Sequence, residues 1–232
     1  MADLQAITFD LDFTLWDLTG VLKNAEAAQY AFLSAHYPEV CRRYSSEALV
    51  ELRLQLAESN PQLRHNVTEL RKAALREAAS SCGYDEAMVT AAFNVFLDAR
   101  HRVHLFDDTL PLLRKLEGRY VLGVITNGNA DVGRLGLRGH FDFVLSPMDV
   151  GAAKPDRIIF EAACNLAGFE PAEIMHVGDE PESDVIGAAD YGMQAVWYNR
   201  HRLPWPDHLE PRPHRCVDSL TSLARLLGLG LP

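Results

Sequence analysis

The 232-residue sequence predicts an α/β fold whose parallel-sheet core is interrupted by an all-helical insert. Three observations carry this. After Phe106, short apolar runs alternate with segments of helical period, the pattern of a parallel sheet covered by helices on both faces. A further apolar run, Leu4 to Phe9, stands far from the others in sequence. Between about Leu18 and Val103 only helical periodicity appears.

Leu4 to Phe9 is short, apolar and followed by Asp10, as expected of a buried strand. In the insert, Ala25, Ala28, Phe32 and Ala35 keep a three-or-four spacing. Leu49, Leu52 and Leu56 follow Ser46, a candidate N-cap. Asn66 with Glu69 resembles a capping box, and Leu70, Ala73, Ala74 and Ala78 continue that stripe until Gly83. Asp85 then opens a helix carrying Met88, Ala92, Val95 and Ala99 on one face. These make a bundle of four helices.

In the second part, Asp108 or Thr109 caps a short helix with Pro111 in its first turn. Strands are expected at Tyr120 to Thr126, Phe141 to Leu145, Ile174 to Val177 and Gln194 to Tyr198. Helices are expected from about Ala130 to Leu137, Asp156 to Ala167, Asp184 to Tyr191 and Ser219 to Leu227. Arg200 to His214, rich in Pro, His and Arg, reads as a loop. The expected division is a Rossmann-like core of residues 1–16 and 105–232, with a helical domain over 17–104. The insert leaves the chain just after the first strand. Ligands of open parallel sheets bind at the carboxyl ends of the strands, so the insert is attached at the mouth of the expected site and reads as a cap.

Composition narrows the function. A net charge of −10 argues against a general nucleic-acid or membrane-surface binder. No apolar run approaches the roughly 20 residues of a membrane span, and no basic-then-apolar leader is visible. Cys41, Cys82, Cys164 and Cys216 form no CxxC pair and read as free thiols of a reducing compartment. A cytoplasmic protein is expected. The absence of complete GxGxxG and GxxxxGK[ST] motifs weighs against dinucleotide and P-loop nucleotide binding.

The chemistry is concentrated at strand ends. Asp10 and Asp12, two apart after the first strand, point the same way because side chains alternate. Two carboxylates that close need a cation or a proton between them, which indicates a divalent-metal site, an acid/base pair, or both. Thr126-Asn127-Gly128 ends a second strand and offers a hydroxyl and an amide to phosphate oxygens. Lys154-Pro155 stands before a helix and supplies a point cation. Gly178-Asp179 ends a third strand, with Asp184 five residues on, and these carboxylates can join Asp10 around one hard cation such as Mg²⁺. Asp184 can equally serve as a helix N-terminal charge. His176, mid-strand, reads as a hydrogen-bonded core histidine, and Trp16 and Tyr30 as packing residues.

Taken in order and spacing, these segments resemble the haloacid-dehalogenase-like hydrolase superfamily, with Asp10-Leu11-Asp12-Phe13-Thr14 as its first motif, Thr126 as its second, Lys154 as its third, and Gly178-Asp179 with Asp184 as its fourth. The resemblance covers nearly the whole core and implies specific roles. Asp10 is then the nucleophile that forms an aspartyl-phosphate, and Asp12 the acid and base. Asp10, Asp179 and the Asp12 carbonyl hold Mg²⁺ with Asp184 close by. Thr126 and Lys154 grip the phosphoryl oxygens, and Asn127 orients the nucleophile or substrate. Members that dehalogenate typically lack the second Asp, so Asp12 favours a phosphatase or phosphomutase over a dehalogenase; a non-catalytic module would show an eroded motif. Phe13 departs from the Gly or Asp common at its position. A narrower likeness, in Ile125 to Ala130, Gly139 to Leu145, Met175 to Asp179 and Gly192 to Ala195, is to bacterial phosphatases acting on FMN and the phosphorylated ribitylaminouracil of riboflavin synthesis. The implied partner is a small phosphorylated metabolite.

Overall fold

The structure is a computed structural model that describes residues 3–63 and 65–230. The described residues form two compact units, one of 3–17 with 104–230 and the other of 18–103.

The first unit is built on strands β1 Ala6–Phe9, β4 Val121–Ile125, β5 Phe143–Leu145, β6 Ile174–Gly178, β7 Gln194–Tyr198 and β8 His214–Val217. They make one parallel sheet in the order β5-β4-β1-β6-β7-β8. The chain thus builds outward from β1 in one direction through β4 and β5, then returns to build through β6, β7 and β8. The strand order reverses at β1, and the carboxyl ends of β1, β4 and β6 flank that switch point, where open sheets bind ligands. Two short strands, β2 Trp16–Asp17 and β3 His104–Leu105, pair antiparallel where the chain leaves for the helical unit and returns.

Helices cover the sheet. On one face α8 Arg157–Ala167 and α9 Gly187–Tyr191 bury Ile159, Phe160, Ala163 and Ala188 against Ala6, Ile125, Ile174 and Trp197 of the strands. Strand alternation sends Ile7 and Phe9 to the opposite face. Helices α6 Thr109–Leu116 and α10 Leu220–Leu226 pack together, burying Leu112, Leu116, Leu220 and Leu223. The short α7 is Pro147–Val150.

The second unit holds α1 Val21–His36, α2 Pro38–Arg43, α3 Ser46–Ser59, α4 Val67–Ser81 and α5 Glu86–Arg100. Helix α1 packs on α5, α3 on α4 and α4 on α5, around Ala25, Leu33, Leu75, Met88 and Phe96. Asn66 accepts from the Glu69 N–H and Asp85 from the Ala87 N–H, so both expected caps form. The α3 cap is Ser45 rather than Ser46, through its Oγ and the Ala48 N–H. The additional helix, α2, begins at Pro38, where its fixed φ suits a first turn.

Three other expectations are corrected. No helix spans 130–137: residues 132–136 form turns, followed by a 3₁₀ turn at Arg138–His140. The Asp131 carboxylate takes the Gly133 N–H at 2.7 Å, and Gly136 adopts φ 71°. Local side-chain bonding and a left-handed glycine together defeat a weak helical stripe. The helix expected from Asp184 is split into a π-helical turn, Pro181–Ile186, and α9. The loop expected to end at His214 instead passes into the edge strand β8 there. Cys41, Cys82, Cys164 and Cys216 are all unpaired thiols, and no helix among the described residues is long and apolar enough to cross a membrane.

Candidate active site

The seven residues given catalytic, phosphate-binding or metal roles from the sequence line one cavity at the switch-point edge of the sheet: Asp10, Asp12, Thr126, Asn127, Lys154, Asp179 and Asp184. Asp10 follows β1, and its N–H extends the ladder to the Val177 carbonyl at 2.9 Å. Thr126 follows β4 in the same way, donating its N–H to the Leu145 carbonyl at 3.0 Å. Asp179 follows β6. Sheet register therefore brings together residues more than a hundred positions apart.

Lys154 is the hub. Its ammonium lies 2.6 Å from each of Asp10 Oδ1, Asp184 Oδ1 and the Ile125 carbonyl oxygen. A lysine has three N–H donors, and these three acceptors take them all. Asp184 is equally committed. Its Oδ1 also meets His176 Nε2 at 3.1 Å, and its Oδ2 accepts from the Glu180 N–H at 2.9 Å. Its carboxyl group lies against the Cα of Gly178, where a Cβ would stand 2.2 Å from Asp184 Cγ. Glycine at the end of β6 is thus a steric requirement of Asp184.

Charge follows from this geometry. Burial pushes the Asp10 carboxyl well above its ordinary range; Lys154 opposes that, while Asp184 and Asp179 add to it. Burial, with Asp184 and Glu180 nearby, pushes Asp179 up to about 7. Burial alone would raise Asp184 too, but Lys154 and His176 outweigh it and hold the carboxyl below the usual range. Burial opposes the charge on Lys154 and the two carboxylates restore it, keeping the ammonium protonated. His176 is pushed down, chiefly by burial, and is neutral. A neutral ring that donates from Nε2 to Asp184 must accept at Nδ1, which lies 2.9 Å from Thr8 Oγ1.

Asp10, Asp179 and Asp184 offer oxygens all within 4.8 Å of one another. With Asp184 engaged by Lys154, His176 and backbone, Asp10 and Asp179 keep free lone pairs for a cation. Burial is the main cause of both raised values, and the neighbouring carboxylates add to it. An all-oxygen set of this kind fits a hard divalent ion. Asp12's carboxylate lies outside that triad: its Oδ1 accepts the Trp16 indole N–H at 2.7 Å.

Asn127 lines the cavity and is also tied to the lysine segment. Its Nδ2 donates to the Lys154 carbonyl at 2.9 Å, and its Oδ1 accepts from the Lys154 N–H at 2.8 Å. The amide thus clamps the Lys154 backbone. Thr126 Oγ1 accepts from the Gly128 N–H at 3.0 Å, which leaves its own proton to donate into the cavity. Sequence reasoning gave no role to Thr14, whose Oγ1 is 3.3 Å from Asp179 Oδ1, nor to Trp16 or Thr8 as partners of the site. Their signals were weak: a Thr in the first motif, a Trp four residues after Asp12, and a polar residue inside an apolar strand.

Comparison with known proteins agrees with this geometry. The profile of the haloacid dehalogenase-like hydrolases matches residues 4–192. The 5-amino-6-(5-phospho-D-ribitylamino)uracil phosphatase YigB of Escherichia coli is 32% identical, over 97% of this chain and 96% of its own. The human N-acylneuraminate-9-phosphatase is 26% identical over 98% of this chain and 95% of its own. A crystal structure described as a 2-haloacid dehalogenase, from Pseudomonas syringae, superimposes with TM-score 0.89 at 37% identity, covering 97% of this chain and 98% of that one. With the motif residues gathered on one sheet edge and the profile spanning most of its length, this chain belongs to the haloacid dehalogenase-like hydrolase family.

Proposed function

We propose that this protein is a Mg²⁺-dependent phosphatase of small phosphorylated metabolites, working through an aspartyl-phosphate on Asp10. The observation that carries the reading is Asp12. It shares the cavity of Asp10 and Lys154, and its Oδ1 accepts the Trp16 indole N–H, which orients the carboxyl group.

The steps follow from the chain's own groups. An Asp10 oxygen attacks phosphorus, and the bond from phosphorus to the leaving oxygen breaks as that oxygen takes a proton from Asp12. Asp12, now ionised, takes a proton from water, whose oxygen attacks the phosphoryl group and releases Asp10 with inorganic phosphate. Thr126 donates its hydroxyl proton to a phosphoryl oxygen. Lys154 has no spare donor, so phosphorylation of Asp10 draws the hydrogen bond now on Oδ1 toward a phosphoryl oxygen. Asp10, Asp179 and the Asp12 carbonyl would hold Mg²⁺, which would supply neutralisation of the phosphoryl charge. The division of labour matches the size of the task. Monoester hydrolysis demands accelerations approaching ~10²¹, about 29 kcal/mol, whereas acid/base help provides about 10²–10⁴. A nucleophile, a cation and a positioned ammonium must supply most of the remainder.

A second reading, haloacid dehalogenation, has one observation in its favour, the 37% identity to the Pseudomonas syringae structure. It needs the Asp10 nucleophile but gives Asp12 no leaving group to protonate. Phosphate release from p-nitrophenyl phosphate with Mg²⁺, measured beside chloride release from 2-chloropropionate, separates the two. The phosphatase reading requires the former to vanish in Asp10→Asn and in Asp12→Asn. Turnover of p-nitrophenyl phosphate by Asp10→Asn equal to wild type would refute it.

For substrate, the likeness to YigB along nearly the whole chain supports FMN and phosphates of the riboflavin pathway as the first compounds to assay. We assign residues 17–104 as a cap that selects substrate. Exchanging the segment from Asn60 to Arg71 should then reorder the preferred esters more than it changes p-nitrophenyl phosphate turnover. A net charge of −10 and free thiols support a cytoplasmic enzyme that binds neither nucleic acid nor membrane.

A further inference from the structure

Phe13 is anomalous twice. It sits at φ 59°, the left-handed region that a bulky side chain avoids. It is the third residue of a turn closed by the Thr14 N–H on the Leu11 carbonyl at 3.2 Å, where positive-φ turns take glycine or asparagine. Its ring is also 40% exposed, in the cavity that holds Asp10, Asp12 and Lys154. Among the described residues lining that cavity, every other side chain carries oxygen or nitrogen, apart from Gly128, which has none. A ring left this exposed is not explained by core packing, and glycine would fill the turn with less strain. Strained backbone and an exposed aromatic coincide here one residue from the proposed acid, where strain is commonly retained for function.

We infer that Phe13 determines specificity: its ring is the apolar surface on which the leaving group of the ester rests, and it favours phosphomonoesters whose leaving group carries a planar ring. The inference rests on the phosphatase reading for its chemistry. Asp12 and Phe13 line the same cavity, so a leaving group bound there has the Phe13 ring among the walls it can meet. Face or edge contact with a planar group is then the interaction the exposed ring can offer.

The test compares wild type with Phe13→Asn, which tolerates the left-handed turn, and with Phe13→Tyr, which keeps the ring. The ratio of kcat/KM for FMN to that for glycerol 3-phosphate should fall about tenfold in Phe13→Asn and be largely kept in Phe13→Tyr. A ratio unchanged within about twofold overturns the inference. The melting temperature of Phe13→Asn should stay within about 2 °C of wild type or rise, because relief of the turn offsets the lost contact. A fall of about 6 °C or more assigns Phe13 to packing instead and also overturns it. FMN binding, read by flavin fluorescence in an Asp10→Asn background, needs no turnover: loss of Phe13 should weaken it about tenfold, and equal affinity refutes the role. Failure of wild type to hydrolyse any of these esters would instead refute the phosphatase reading, leaving the binding measurement to decide on Phe13.

Discussion

Lys154 Nζ and Asp184 Oδ1 stand 2.6 Å apart in a pair that is almost completely buried, with side-chain exposures of 1% and 2%. The same ammonium meets Asp10 at 2.6 Å. Asp184 therefore anchors the lysine on one side while Asp10 holds it on the other. Removing Asp184 leaves a buried ammonium with one carboxylate fewer. Asp184→Ala should lower stability by about 3–5 kcal/mol, the usual cost of breaking a buried pair from one side. Urea unfolding checks this, and a loss below about 1 kcal/mol would show that the pair is not the anchor its geometry describes. Gly178→Ala should reproduce part of the defect, because the added Cβ displaces the Asp184 carboxyl group.

His176 acts one step further from the reaction. Its Nε2 reaches Asp184 and its Nδ1 reaches Thr8, so the ring fixes the orientation of the carboxylate that fixes Lys154. His176→Leu strips a donor from a buried carboxylate and should cost about 1–3 kcal/mol of stability. It should lower kcat more than it raises KM, since the ground-state ester does not touch it. His176→Gln keeps an N–H for Asp184 and should recover much of kcat. Equal loss in both variants would point to the ring's packing on Phe160 rather than its hydrogen bonds.

Asn127 provides a sharper division. If it held substrate, Asn127→Ala would act mainly on KM. Its two hydrogen bonds run instead to the Lys154 backbone, so the variant should lower kcat several-fold with KM nearly unchanged. Loss of the paired bonds should reduce stability by about 1–3 kcal/mol. Steady-state kinetics with FMN and p-nitrophenyl phosphate give the answer, and a change confined to KM would return Asn127 to the substrate.

The legibility of the site had a physical basis. Asp10, Thr126 and Asp179 each terminate an apolar strand, and a parallel sheet aligns such ends at one edge whatever lies between them in sequence. Lys154 was legible only as a member of the set. Its saturation by three acceptors depends on distances that no spacing encodes. For Asn127 the hydrogen bonds to the Lys154 backbone were not legible, because a polar residue beside a phosphate site can face substrate, backbone or both, and sequence does not distinguish these. In the fold, strands with continuous apolar runs were plain, while β8 was hidden by Arg215 and Cys216 at a sheet edge that tolerates polar residues. The stretch from Ala130 to Leu137 carried apolar residues at helical spacing, but Asp131 and the glycines decided it locally.

Asp179 links the metal to pH. Its folded-state pKa stands at about 7, against 3.8 for an ordinary aspartate, because burial and the neighbouring acids disfavour its charge. In metal-free protein the folded state thus holds a proton that the unfolded state has released between those values. Stability from this group is greatest below about 4 and declines as pH rises toward 7. The proposed Mg²⁺ would reverse the balance by binding the ionised form, and to do so below pH 7 it would have to displace the proton. Its affinity should therefore weaken as pH falls beneath 7, by at most about tenfold per unit for a single displaced proton. The upward shift in melting temperature on adding Mg²⁺ to chelator-treated protein should be larger at pH 8 than at pH 6. Asp179→Asn removes one of the two ligands with raised pKa, the other being Asp10, and should reduce this dependence while weakening the ion overall. A Mg²⁺-induced shift that is the same at both pH values in wild type would contradict a proton held at Asp179.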